Sequence, residues 1–523
     1  MNTVWLIISS VVVYLFYLKF IKPSFYWKQR GVFHVNPYSR LIRVFFSDKT
    51  FLDIIRNAYE EFPCKRYYGS FQFLRPSLLV RDLELAKKIT IKDFDHFHDH
   101  FTLANDNDLV LSSNLFALKG EKWRDMRSTL SPAFSSSKMK QMFVLMTETA
   151  ESFTDYLVAS SENKPREYET KDLFTKYTND VIASCAFGIK CDSLREDKNE
   201  FYKMGQNISN TFKRILSLKG LLNVFFPKLC QALGVGVFDD AVTRFFKRIV
   251  VDTISVREKG DVVRPDMIHL LMEARKGRLK YDGADIGTSG FATVDESNLM
   301  QSAKRKIDLT DDVITAQALI FFIAGFETSS TLLSFLSYEL ALNPAIQKHL
   351  QDEIDETMKL NGGQIKYDEL LKMKYVDQVI SETLRKYPPA LALNRICTKD
   401  YLIPAQLARE TDLLLEKGCL VAIPVYGFHM DPKYFPEPDK FDPERFNEEN
   451  KQRIVSGSYL PFGSGPRNCI GSRFALLESK VVIVNLLSKF NIVRTEKTQV
   501  PLQMARSAFI SAKGGVWVAL QKR

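Results

Sequence analysis

Pro461-Phe462-Gly463-Ser464-Gly465-Pro466-Arg467-Asn468-Cys469-Ile470-Gly471 sets one cysteine among glycines and a single arginine near the C-terminal end of the chain. Such a loop suits an iron ligand. A thiolate stays ionised where backbone N–H donors and positive charge surround it, and a flat macrocycle needs room beside it. Gly463, Gly465 and Gly471 allow tight turns and close backbone approach, and Arg467 offers a cation to an anionic cofactor edge. A buried cysteine beside a turn is the bland reading. The full pattern F-x-x-G-x-R-x-C-x-G, met by Phe462, Gly465, Arg467, Cys469 and Gly471, is too specific for it.

Upstream, Asp311 to Asn343 forms one long apolar helical run with Thr310, Asp311 and Asp312 as N-terminal capping candidates. Ala324-Gly325-Phe326-Glu327-Thr328-Ser329 interrupts it with residue types that suit a buried helix poorly. A hydroxyl backed by a carboxylate, in a locally widened helix holding water, relays protons. The competing reading has Thr328 bonding back to the carbonyl four residues earlier and Glu327 in a salt bridge. Glu382 and Arg385 share a helix face three positions apart, flanked by Val379, Ile380 and Leu384. Such a pair is partly buried and demands a further partner. Trp123 and Arg127, at i and i+4, place an indole donor and a cation together. They either hold anionic cofactor groups or belong to a solvated basic face with Lys119, Lys122 and Arg124. Asp95-His96-Phe97-His98-Asp99-His100 alternates histidines as a metal site would, but no further cluster completes the shell.

The 523 residues are 45% hydrophobic, and 72 basic against 62 acidic residues leave a net charge of +10. That excess suits an anionic membrane surface or an acidic protein partner. It is not gathered into arginine-rich runs, which argues against nucleic acid. The 7 cysteines are scattered with no C-x-x-C, against a zinc site or a disulfide scaffold. Val4 to Leu18 is almost wholly apolar, and Lys19, Lys22, Lys28 and Arg30 follow it. The charge asymmetry predicts an uncleaved single-pass anchor with the remainder in the cytosol. Residues 1–20 are thus expected to be a transmembrane helix, 21–46 a proline-containing linker, and 47–523 a single catalytic domain. Helical patterns dominate that domain, with strands expected near Tyr67–Phe73, Ser77–Val80, Cys419–Pro424 and Gly515–Gln521. The fold class is mainly α with small β-sheets. Leu216–Val237 is unusually apolar for a connection, and either packs into the core or dips into the membrane interface. No flavin or nicotinamide module is evident.

Taken in order, these motifs resemble the cytochrome P450 superfamily over nearly the whole chain, most closely insect families nine and six. The resemblance implies haem b held by Cys469 as axial iron ligand, with Phe462 in the same loop. Trp123, Arg127, Arg395 and Arg467 would reach the propionates. Glu327 and Thr328 take the oxygen-activating acid–alcohol positions. Arg445, in Phe441-Asp442-Pro443-Glu444-Arg445-Phe446, would join Glu382 and Arg385 in a structural triad. It also implies a substrate pocket with Phe116, Phe212, Phe321, Phe322, Leu391 and Phe509 as lining candidates. The activity implied is insertion of one atom of O2 into lipophilic molecules such as plant toxins and insecticides. NADPH-derived electrons would come from a reductase or a cytochrome b-type donor at the endoplasmic reticulum membrane. The alternatives are an O2-independent isomerase or dehydratase on the same fold, and a non-enzymatic haem sensor or electron carrier.

Overall fold

A computed structural model describes residues 2–39, 42, 48–102, 109–161, 164–196, 199–213, 218–233, 235, 240–260, 263–279, 291–292, 307–408, 410–507 and 509–523. Most of the polar stretch 276–306 lies outside them. The chain forms two compact units, neither of them continuous in sequence. The first takes Met1–Thr102, Leu391–Phe428 and Ser464–Arg467, and the second takes the remainder.

The first unit begins with helix α1 (Asn2–Phe16) and continues through α2 (Phe51–Glu60), where Thr50 and Asp53 form a reciprocal capping box. Its sheet joins β1 (Tyr67–Gln72), β2 (Arg75–Val80), β4 (Leu393–Ile396) and β7 (Leu420–Ile423) in the order β1-β2-β7-β4. The register Arg395↔Val421 fixes the position of Arg395. A hairpin of β5 (Tyr401–Ile403) and β6 (Leu413–Leu415) completes it. The expected linker is corrected here. Trp27 is fully buried and its Nε1 donates to the Ser70 carbonyl at 2.9 Å. A Cβ on Gly69 would stand 2.4 Å from the Trp27 ring, so only glycine lets the indole seat. His34 bridges to Gly69 and Val35 is buried, which places residues 27–35 inside the folded unit rather than in a tether.

The second unit is helical. Its main helices are α3 (Gly120–Leu130), α4 (Ser136–Ser160), α5 (Thr170–Ile182), α6 (Glu200–Lys213), α7 (Asp240–Gly260), α8 (Asp311–Leu342), α9 (Lys374–Lys386) and α10 (Ser472–Lys489). β3 (Arg166–Glu169), β8 (Phe490–Val493) and β9 (Trp517–Lys522) pair in the order β3-β9-β8. α8 starts where the sequence says, with the Thr310 side chain accepting from Val313 N. It is the one described helix apolar and long enough to cross a bilayer, yet its apolar window is 67% buried, as befits a core element. α1 runs only to Phe16 before a looser turn over Tyr17–Ile21.

α8 is regular throughout, so the expected local widening at Gly325 is not seen. The glycine has a packing reason instead. A Cβ there would sit 2.4 Å from Ile182 Cδ1 on α5. Gly325→Ala is expected to cost about 1–3 kcal/mol through overpacking, read as a lower thermal midpoint. Adding Ile182→Ala is expected to recover part of that loss.

Candidate active site

In the second unit, the cysteine loop is closed by Cys469 N donating to Phe462 O at 2.8 Å and Gly463 N donating to Leu460 O at 3.1 Å. Gly463 has φ of 78°. Gly471 has φ of −92°, and a Cβ there would stand 3.8 Å from its nearest neighbour, so the protein itself makes no such demand at that position. The Cys469 side chain is exposed. Beside it, Arg127 is buried and donates from Nη1 to the Asn468 carbonyl at 2.9 Å and from Nη2 to Asn468 Oδ1 at 2.5 Å. Burial sets Arg127 and Trp123 apart from Lys122, which is exposed. The solvated-face reading of W-x-x-x-R therefore fails for both. Arg127 grips the residue next to the cysteine and fixes positive charge there.

The support beneath this loop is a buried polar chain. Arg385 donates to Glu382 from Nε at 2.7 Å and from Nη2 at 2.8 Å, both side chains being fully enclosed. Arg445 Nε approaches Glu382 to 3.5 Å, and Asp442 N donates to the same carboxylate at 2.9 Å. The three triad residues therefore come together. His429 extends the chain: its Nδ1 donates to Arg385 O at 3.0 Å, while Nε2 accepts from Leu460 N at 2.8 Å. Burial and the Arg385 charge push its pKa down to about 3, which keeps the ring neutral with one donor and one acceptor. From the sequence, His429 has only a general structural role. Its position before Asp431-Pro432 does not reveal that it ties the triad to the start of the loop.

In the first unit, Gly465 has φ of 71°, and a Cβ there would lie 1.7 Å from the Thr90 carbonyl oxygen. Arg467 Nε donates to His98 O at 2.7 Å, and its Nη2 stands 3.9 Å from Asp99 Oδ1. The alternate histidines diverge: His96 lies against the Tyr401 ring, His98 pairs with Asp99, and His100 Nδ1 bonds Asn394 O at 3.0 Å. Burial, Arg395 and Arg467 all hold the His100 pKa well below its usual value, so His100 is neutral. Arg395 is buried on β4, and its partners among the described residues are the Asn394 and Ser464 carbonyls and the His100 ring. None is anionic, and its Nε is buried without an acceptor. Desolvation alone pulls its pKa to about 10. A buried guanidinium so placed calls for an anionic group, and a haem propionate answers that need. In the second unit, the exposed thiol of Cys469 suits a haem iron.

On α8 the side chains follow the less exotic of the two expected arrangements. Thr328 Oγ1 donates back to Ala324 O at 2.7 Å. Glu327 is buried, 3.1 Å from Lys171 Nζ on α5, and accepts from Ser209 Oγ of α6 at 3.0 Å. Lys171 and Ser209 were invisible in the sequence because they lie on other helices. Ala324 is exposed and Thr328 half-exposed, so this buried helix turns one face to open space. Of the proposed pocket liners, Phe116 is exposed, while Phe321 and Phe509 are half-buried. Phe322 is corrected to a core residue, fully enclosed among Phe187, Phe201, Phe246 and Phe326. Leu391 is likewise buried, its carbonyl accepting from Tyr426 N. Phe212 ends within α6, and its side chain is outside the described residues.

The family model for cytochrome P450 matches residues 44–516. The chain is 44% identical over 490 residues to cytochrome P450 9e2 of Blattella germanica, covering 91% of this chain and 89% of that relative. It is 39% identical to probable cytochrome P450 9f2 of Drosophila melanogaster, covering 98% of both. Cytochrome P450 6k1 of Blattella germanica is 34% identical, covering 98% and 95%. The chain belongs to the cytochrome P450 family. It is accordingly a haem monooxygenase that uses O2 and NADPH-derived electrons.

Proposed function

We propose that this enzyme oxidises lipophilic foreign compounds at the endoplasmic reticulum membrane, and that Cys469 would hold the haem iron. The observation that carries the reading is an apolar helix, α8, opened to space at Ala324 and Thr328, in the same unit as an exposed cysteine gripped by Arg127. Haem, when bound, supplies a redox-active iron that activates O2. As the family resemblance implies, Trp123, Arg127, Arg395 and Arg467 would hold its acidic edge, and apolar side chains such as Phe321 would exclude water and bind substrate without strict orientation. Glu327 holds a proton source at the Lys171 side, where the ammonium is 23% exposed. Thr328 passes protons onward once its hydroxyl turns from Ala324.

Residues 1–20 serve as the membrane anchor in this reading. Leu222, Phe226, Leu229 and Leu233 are exposed while Val224 and Cys230 are buried, so 218–233 supports a second contact with the interface. Electrons arrive from a membrane flavoprotein reductase that docks on exposed basic residues such as Lys122 and Arg453.

Spectral titration of the ferric protein with a panel of lipophilic compounds tests the substrate class, and a panel that produces no haem shift sinks it. Thr328→Ala tests the relay. Positioned proton donors contribute roughly 10²–10⁴-fold, part of which water replaces. Product per NADPH is expected to fall about tenfold or more while NADPH consumption continues into peroxide. Unchanged coupling would remove Thr328 from the path.

A further inference from the structure

The open face of α8 has an end, and helical spacing shows where it falls. Gln317, Phe321, Ala324 and Thr328 stand at i, i+4, i+7 and i+11, within one stripe of the helix. Phe321 and Thr328 are half-buried and Ala324 is exposed, but Gln317 is fully enclosed. What covers it is main chain from 202 positions earlier. Gln317 Nε2 donates to Ser113 O at 2.7 Å, and its Oε1 accepts from Leu115 N at 2.9 Å. The segment so held follows a short helix, Leu109–Ser112, and is fixed internally by Asn114. Asn114 Nδ2 donates to Leu111 O at 2.7 Å, while its Oδ1 accepts from Phe116 N and Ala117 N, each at 3.0 Å. Asn114, Leu115 and Ala117 are buried, and the Phe116 side chain is exposed. The stretch 113–117 is thus a braced loop joined to α8 through one amide. No part of the proton path proposed above uses Gln317.

An apolar side chain at Gln317 would leave the Ser113 carbonyl and the Leu115 N–H buried without partners, and a loop relieves that by lifting into water. Gln317 therefore decides whether 113–117 stays down at the end of the open stripe. We propose that Gln317 is a specificity-determining positioning residue. It holds this loop as a fixed end wall, so that the space beside Phe321, Ala324 and Thr328 takes compact lipophilic molecules. Molecules whose chains would extend past Leu115 and Phe116 are rejected. This rests on the reading that the open stripe of α8 is the substrate side of haem.

The test is spectral titration of the ferric holoenzyme with a homologous series of 1-alkylimidazoles, whose ring binds iron while the tail explores the space beside α8. In the native protein affinity is expected to rise about fourfold per methylene, the gain for burying one CH2. The rise is expected to stop at the length where the tail meets the wall. In Gln317→Met, a swap close in volume, the rise is expected to continue, so that the longest tails bind at least about tenfold tighter than in the native protein. Phe116→Ala, at an exposed position, is expected to move the plateau to longer tails as well. A plateau at the same length in native and Gln317→Met, or none in the native protein, overturns the proposal. Should Gln317→Met fail to fold, an unmoved plateau in Phe116→Ala overturns it instead. Amide hydrogen exchange of the apo chain gives a readout independent of haem. The Leu115 amide is expected to exchange about tenfold faster in Gln317→Met, the factor for one net hydrogen bond, and to stay slow in Phe116→Ala. Equal exchange in native and Gln317→Met also overturns the proposal. A native holoenzyme with no imidazole shift sinks the haem reading, and the amide exchange still decides the tether. A shift with an unmoved plateau sinks only the role of Gln317.

Discussion

Glu382→Ala is expected to destabilise the second unit by about 3–5 kcal/mol, the range for removing one member of a buried ion pair. The carboxylate is fully enclosed and accepts from Arg385 at 2.7 and 2.8 Å and from Asp442 N at 2.9 Å, with Arg445 at 3.5 Å. Its removal leaves the Arg385 guanidinium, itself fully buried, without a counter-charge. Arg385 also donates to the His429 and Pro438 carbonyls at 2.9 and 2.8 Å, so the guanidinium cannot swing out to water without breaking those bonds too. A loss of this size is a large share of the roughly 5–15 kcal/mol that a typical domain has in total. The expected readouts are a lower denaturation midpoint and poor recovery of haem-loaded protein. Glu382→Leu combined with Arg385→Leu is expected to cost less than Glu382→Ala alone, because the fully buried guanidinium goes with its partner and only Arg445, partly exposed, loses its carboxylate. A single-variant cost below about 1 kcal/mol, the range of exposed pairs, would show that water reaches the pair in solution.

The sequence is legible where chemistry is local. The cysteine loop, the capped start of α8 and the E-x-x-R pair each follow from residue types at fixed short spacing, and each falls where those spacings place it. What the sequence hides depends on which distant residue arrives. Phe321 and Phe322 are adjacent on a helix that is apolar on every side, so periodicity cannot choose between them. The structure gives Phe322 to the aromatic core and leaves Phe321 half-exposed against Phe134. Gly325 looks functional until Ile182 is seen against it. The β1–β2 turn carries Phe73 and Leu74 at φ of 50° and 65°, positions where Asn-Gly is the usual signal, so the strands are visible but their joint is not. Trp27 lies between Lys22-Pro23 and Lys28, which suggest a tether, and only Gly69, far along the chain, supplies the space it fills.

Cys469→Ser is the sharper experiment because its two consequences separate. The Cys469 side chain is exposed and fills no core space, so the apo fold is expected to keep its stability to within about 0.5 kcal/mol, as for surface changes elsewhere. The backbone bond from residue 469 to Phe462 O and the Arg127 grip on Asn468 do not involve the sulfur and survive. Ligation does not survive. The thiolate is the form of cysteine that ligates a metal, whereas a serine hydroxyl remains protonated and offers iron a weak neutral oxygen. The reduced carbon monoxide complex is therefore expected to lose its thiolate absorption completely. Product formation should fall by orders of magnitude, while the circular dichroism and denaturation midpoint of the apo protein stay put. Persistence of the thiolate signature in the variant would assign the iron to a different sulfur. Cys64, the other exposed cysteine, would be the first to test. Loss of folding together with loss of the spectrum would make residue 469 a structural position instead, which its exposure argues against.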